Sequence, residues 1–303
     1  PKQIWLRMKM EGLFIEEPIQ KKSFDFNFQF NFPFLNSGYD GPIYQLRSWI
    51  NKMDELAIND NIDGLIIDWE YIIAGFAKRQ EIYDALTRFK ESGKKIIIYS
   101  KNGFTNNDYY IASIADEIYM HSDGAIDLKG FNIEMQFYKE LLDSLDIIPE
   151  FVAISPYKSA ADNYLRNNFS NEVKENWGTL FNEVYNQFIA GISKGKGWNY
   201  KKTKTIIDSG PFFSNDILKN ELVTDFKYPD EFEDYIKNLN ENNIDIKTFD
   251  YVNNNKNYNY NWVKNDKPQI AIIYAVGPIM SGKSIRGKTG SRIMGEETIS
   301  DAI

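Results

Sequence analysis

Residues 62–100 read "IDGLIIDWEYIIAGFAKRQEIYDALTRFKESGKKIIIYS", and this stretch decides the fold class. It opens on "IDGLIIDW", a short apolar run of strand length. An amphipathic helical pattern follows, "AKRQEIYDALTRFKESGKK", closed by Gly93, and then a second apolar run, "IIIYS". Runs of this kind are buried on both faces, as strands inside a parallel sheet are, whereas the segment between them carries apolar side chains at helical spacing. Just upstream, "IYQLRSWINKMDELAIN" has the same helical spacing. Helix, strand, helix, strand with short connections implies right-handed crossovers and a mostly parallel sheet. The expected fold class is α/β.

Working outward, "IWLRMKM" is a strand that ends at Gly12. The pattern continues through "DYYIASIADEIYMHSDGAIDL", a helix "EMQFYKELLDSLD", a buried strand "PEFVAIS" and long helices from about 157 to 195. Residues 24–34, "FDFNFQFNFPF", place Phe at every second position. That is either a half-buried strand or hairpin arm, or an apolar surface for lipid, a neighbouring subunit or an apolar peptide. The Asn-rich stretch 252–266, "VNNNKNYNYNWVKND", has the composition of a linker. Beyond it, "PQIAIIYAVGPI" repeats the features of the chain's own opening, "KQIWLRMKMEGLF". Residues 1–251 therefore read as one repeat, 252–267 as a linker and 268–303 as the start of a second, truncated repeat.

The 303 residues are 43% apolar and 15% aromatic, enough for a sizeable core. A net charge of -8 repels nucleic acid and anionic lipid, so no nucleic-acid partner is expected. Cysteine is absent, which removes thiolate ligands and nucleophiles, and His121, in the turn-like "MHSDG", is the single histidine. No multi-histidine metal site can form, and no metal or other cofactor is called for. No run approaches the roughly 18 apolar residues of a membrane span. The chain starts at Pro1 without Met and stops inside a helical pattern, so an anchor or a further domain is expected outside it.

Residues 270–284, "IAIIYAVGPIMSGKS", satisfy the phosphate-binding pattern with Gly277, Gly282, Lys283 and Ser284 on the required spacing. The physics of that pattern needs a helix N-terminus behind the glycines. Here Ser284 leads into "IRGKTGSRIMGEET", which has no helical periodicity until about Glu297, and Pro278 removes an N–H donor. A nucleotide partner is not expected.

In "AISPYKSAADNYLRN", Lys158 follows an apolar run and opens a helical pattern. Burial and a helix N-terminus both disfavour an ammonium, so such a lysine can act as a general base. The other reading of the same spacing is a solvated first-turn lysine.

"PYKSAADNYLRNNFS" resembles the "YKSA" segment of the long-form signal peptide peptidases (protease IV, SppA), serine peptidases with a Ser/Lys dyad. "IDGLIIDW", "ESGKKIIIYSKN", "DYYIASIADEIYMHSDGAIDLKGF", "YKELLDSLDI" and "GPFFSNDILKNELVTDF" fall in the order of that family's first repeat, and "PQIAIIYAVGPIMSG…GEETISDAI" is similar to the opening of its second. The resemblance implies a ClpP/crotonase-like fold of stacked ββα units. It implies that Lys158 is the general base for a serine beyond residue 303, so that this piece alone is inactive.

By the same resemblance the nucleophile's position in this repeat is Asn106, in "TNNDYYIAS", with Asn107 and Asp108 where two glycines would stand. An amide cannot attack a carbonyl as an alkoxide does. Thr105 is a displaced substitute hydroxyl, and Gly75 is the surviving counterpart of the oxyanion-binding glycines. The family further implies cleaved signal peptides and other apolar peptides as substrates, a homo-oligomeric ring or bowl such as a homotetramer, and attachment to the bacterial inner membrane with the soluble part on the outer side. The rival expectation is a non-catalytic scaffold or peptide-binding domain of the same fold.

Overall fold

The computed structural model describes residues 2–17, 41–152, 154–241, 243–249, 272–286 and 292–303. The Phe-rich segment 24–34 and the linker 252–267 lie outside them.

The chain begins with β1 (Gln3–Ile15), then β2 (Ile43–Gln45) and α1 (Leu46–Ala57). The deciding stretch forms β3 (Gly64–Ile73), α2 (Phe76–Glu91) and β4 (Lys95–Ser100), in the order its periodicity requires. β5 (Gly103–Thr105) passes directly into α3 (Asn106–Ala112), followed by β6 (Glu117–Met120) and β7 (Ala125–Asp127). A long excursion carries only the short α4 (Lys139–Ser144) and α5 (Asp162–Leu165) before α6 (Asn171–Lys196) and α7 (Tyr200–Ser209). β8 (Phe212–Phe213), α8 (Asn215–Lys219), β9 (Asp225–Phe226), α9 (Pro229–Glu241) and β10 (Ile244–Thr248) complete the main body. β11 (Ile279–Met280), β12 (Ile285–Arg286), β13 (Arg292–Gly295) and α10 (Glu296–Ala302) follow.

The central sheet has the order β10-β1-β3-β4-β6-β9, with β2 also on β1, and every pairing in it is parallel. Its two faces follow from strand alternation. Leu6, Met8, Met10 and Phe14 of β1 join Leu65, Ile67, Ile96 and Ile98 in the core beneath α1, α2 and α3. Each such side chain stabilises the fold by about 1.5–3 kcal/mol on full burial. On the other face Trp5, Ile66, Ile97, Tyr99 and Tyr119 pack against Phe232 and Ile236 of α9. The Tyr99 and Phe232 rings stack at 4.3 Å. A small second sheet, β5-β7-β8, sits at the C-terminal end of β4.

Two local expectations are corrected. The described residues of "PEFVAIS" form no strand: Val152 is 99% and Ile154 91% exposed, because the excursion meets no sheet edge among the described residues. Nor does a long helix begin near 157. α5 lasts four residues, and the long helix starts only at Asn171, where the Ser170 hydroxyl accepts the Val173 N–H. At the phosphate-loop pattern, Ser284 leads into β12 and not into a helix, and its hydroxyl accepts the Gly295 N–H at 3.0 Å.

Candidate active-site turn

The turn between β5 and α3 stands where the resemblance puts a nucleophile. Gly103, at φ +86, lets the chain leave β4 so close to β7 that an added Cβ would overlap the Ala125 carbonyl oxygen. Only glycine fits there. Thr105 then caps α3. Its hydroxyl accepts the Asp108 N–H at 3.3 Å and donates to Asp108 Oδ2 at 2.6 Å, while the same carboxylate oxygen accepts the Thr105 N–H at 3.3 Å. This is a reciprocal capping box.

Beneath the turn lies a buried cation. Arg79, in the first turn of α2, donates from Nη1 to Asp108 Oδ1 at 2.8 Å, from Nη2 to the Ile72 carbonyl at 2.9 Å and from Nε to the Ala74 carbonyl at 3.0 Å. Both side chains of the pair are almost wholly buried. One guanidinium thus ties the end of β3, the start of α2 and the turn together. The capping sequence T-x-x-D was readable, but nothing local in the sequence links Asp108 to Arg79, 29 positions upstream.

Asn106, where the resemblance puts the nucleophile, is also committed to structure. The Asn106 side-chain oxygen accepts the Lys129 N–H at 2.7 Å. Its carboxamide carries no nucleophilic oxygen, and the Thr105 hydroxyl proton is held by a carboxylate already paired with Arg79. Gly75 is the N-cap of α2, with open space where a Cβ would stand.

Lys158 lies elsewhere, in a turn of the excursion, with its N–H donating to the Ser155 carbonyl at 2.9 Å and its side chain exposed. Among the described residues neither a buried strand before it nor a helix start beneath it is present. No hydrogen bond or ion pair joins it to residues 105–108 among the described residues. Apolar neighbours surround it in sequence, with Phe151, Val152, Ile154 and Tyr157 all exposed. His121 is structural in its contacts: Nδ1 accepts the Asp123 N–H at 3.1 Å, and the ring meets Tyr228 edge-on at 4.7 Å. No cluster of three or more metal-ligating side chains occurs among the described residues.

The body is a parallel-sheet α/β fold in which the turn from β5 into α3 carries a Thr105–Asp108 capping box and an Asn106 amide held by the Lys129 N–H. Comparison with known proteins supplies the family. The model for peptidase family S49 matches residues 88–243, and the chain belongs to that family. Protease 4 of Haemophilus influenzae is 36% identical over 146 residues, covering 48% of this chain and 23% of that protein. The chloroplastic serine protease SPPA of Arabidopsis thaliana is 27% identical over 253 residues, covering 80% and 36%. Protease 4 of Salmonella typhi is 26% identical over 257 residues, covering 80% and 40%. The chain thus spans well under half the length of these relatives. Among solved structures, an enoyl-CoA hydratase from Shewanella pealeana overlaps 64% of this chain and 63% of its own at 9% identity and TM-score 0.35. A Plasmodium falciparum peptidase overlaps 60% and 88% at 8% identity and TM-score 0.37. Overlaps that low do not bear on chemistry.

Proposed function

We propose that this chain is the lysine-donating part of a serine endopeptidase that degrades cleaved signal peptides and other apolar peptides at the bacterial inner membrane, on its outer side. Lys158 is its general base, and the serine comes from a part of the protein outside this chain. The observation that carries the reading is the turn at 105–108. Membership of a peptidase family is combined there with an asparagine amide tied to Lys129 and an aspartate tied to Arg79. A repeat so built has no nucleophile of its own to offer.

The chemistry follows from the lysine's surroundings. Covering Phe151, Val152, Ile154 and Tyr157 with a second repeat or subunit would remove water from Lys158 and favour its neutral form. The neutral amine then takes the serine hydroxyl proton, and the alkoxide adds to the peptide carbonyl. Lys158 returns the proton to the leaving amine, and next deprotonates the water that releases the acyl group. The exposed apolar excursion also supports a homo-oligomer, a tetrameric ring or bowl, since a patch of that kind marks an interaction surface. Among the described residues no helix is long and apolar enough to cross a membrane, so membrane attachment is assigned to a segment outside them.

The second reading is a non-catalytic scaffold that binds peptides, favoured by the same clamped turn. The two are separated by the complete protein's action on an unfolded apolar peptide: cleavage that depends on Lys158 supports the peptidase, and an inert complete protein supports the scaffold.

A further inference from the structure

We infer that Tyr157 and Glu175 are positioning residues for Lys158: the hydrogen bond between their side chains straps the lysine's turn to α6. The Tyr157 hydroxyl donates to Glu175 Oε2 at 2.9 Å. Among the described residues no other hydrogen bond or ion pair runs from residues 155–159 to an element outside the excursion. The turn's own bonds are local: the Lys158 N–H donates to the Ser155 carbonyl at 2.9 Å and the Tyr157 N–H to Ser155 Oγ at 3.4 Å. They fix its shape but not its place on the body. Its flanks close on each other, since Phe151 and Tyr138 both stack on the Tyr164 ring at 5.8 Å and the Tyr138 N–H donates to the Asn163 carbonyl at 2.7 Å. The anchor at the other end is firm. α6 runs unbroken from its Ser170 cap to Lys196, and its far half buries Phe188, Ile189 and Ile192 in the core. Glu175 stands in its second turn and makes no ion pair among the described residues, so its carboxylate serves Tyr157.

A lysine base has particular need of such a strap. Its nitrogen must come within about 2.6–3.2 Å of the proton it takes. The stem that carries the nitrogen is flexible, so the place of the lysine's Cα decides which points Nζ can reach. Tyr157 directly precedes Lys158, and holding its side chain against a long helix holds the backbone from which that stem starts. A misplacement of about 1 Å is enough to cost about 10²-fold in rate. A hydrogen bond to a carboxylate is stronger than one between neutral groups, and Glu175 raises the Tyr157 pKa, so the phenol stays the donor. The inference rests on the reading of Lys158 as general base, whereas the strap between the turn and α6 stands apart from it.

The test has two arms. In the first, the complete protein cleaves an unfolded apolar peptide under steady-state conditions. Tyr157→Phe, which keeps the ring, and Glu175→Ala are each expected to lower kcat about five- to tenfold with KM within about twofold, and the double variant is expected to fall no further than either single one. Glu175→Gln keeps an acceptor for the hydroxyl and is expected to retain most of kcat. In the second arm, the 303-residue chain is nicked after Lys158 by a lysine-specific endoproteinase, the nick being assigned by fragment mass. Tyr157→Phe and Glu175→Ala are expected to speed this nick about five- to tenfold with an unchanged circular dichroism spectrum, and Glu175→Gln is not. An unchanged rate of nicking would overturn the strap. Unchanged kcat, or losses that multiply in the double variant, would overturn the positioning role. Full cleavage by Lys158→Met would remove the base, and the positioning with it, while faster nicking in the other variants would still show the strap.

Discussion

Arg79 and Asp108 form a buried ion pair, Nη1 to Oδ1 at 2.8 Å, directly under the turn where the resemblance places a nucleophile. The pair makes that turn a structural joint between β3, α2 and α3. Removing one partner strands the other. Arg79→Met leaves Asp108 as an uncompensated buried carboxylate and is expected to cost about 3–5 kcal/mol in urea unfolding. Arg79→Met combined with Asp108→Asn should recover part of that loss, and equal stability of the single and double variants would contradict the pairing.

The second prediction concerns the turn itself. Asn106→Ser restores a hydroxyl but leaves the capping box, in which Asp108 is already engaged by Thr105 and Arg79. The variant chain is expected to show no labelling by a fluorophosphonate probe above the wild-type background. Stoichiometric labelling would show that the turn still activates a nucleophile.

A third prediction follows from Lys196 at the end of α6. Burial beside Trp198 lowers its pKa to about 8. The unfolded chain, with the ordinary lysine pKa of about 10.4, binds more protons above pH 8 than the folded one does. Stability is therefore expected to rise from pH 8 to pH 9.5 as the half-buried ammonium is neutralised, while the destabilising contribution of Lys196 is full below pH 8. Buried tyrosines act in the opposite sense, but only as the unfolded tyrosine pKa of about 10 is passed. Lys196→Met should reduce the rise, leaving the part contributed by Lys94, whose pKa burial also lowers, and stabilise the chain at pH 7 by about 1 kcal/mol or more. An unchanged pH profile of the unfolding midpoint would remove Lys196 as its source.

The parts of the fold that were legible in the sequence are those whose signal is local. "IDGLIIDW" and "IIIYS" are β3 and β4 because continuous apolar runs of that length have to be buried on both faces, and "AKRQEIYDALTRFKE" is α2 because its apolar residues recur on one helical face. "PEFVAIS" carries the same kind of run, and its described residues form no strand. Hydrophobicity says that a segment wants cover, not which chain provides it, and Val152 and Ile154 find none here. The helix expected from 157 is reduced to α5, Asp162–Leu165, and after "NNFS" Ser170 caps a new helix. At the site, the sequence offered Asn106 as the position that the resemblance assigns to a nucleophile. Its clamp was not legible, because Arg79 and Asp108 are brought together by the crossover of α2 and by no spacing between them.

The central claim is that Lys158 is the base of a peptidase completed outside this chain. The direct measurement is cleavage of an unfolded apolar peptide by the complete protein with Lys158 and with Lys158→Met, folding being monitored by circular dichroism. The account predicts a fall of about 10²–10⁴-fold in cleavage with an unchanged spectrum and unfolding midpoint. Cleavage within about twofold of wild type would contradict it.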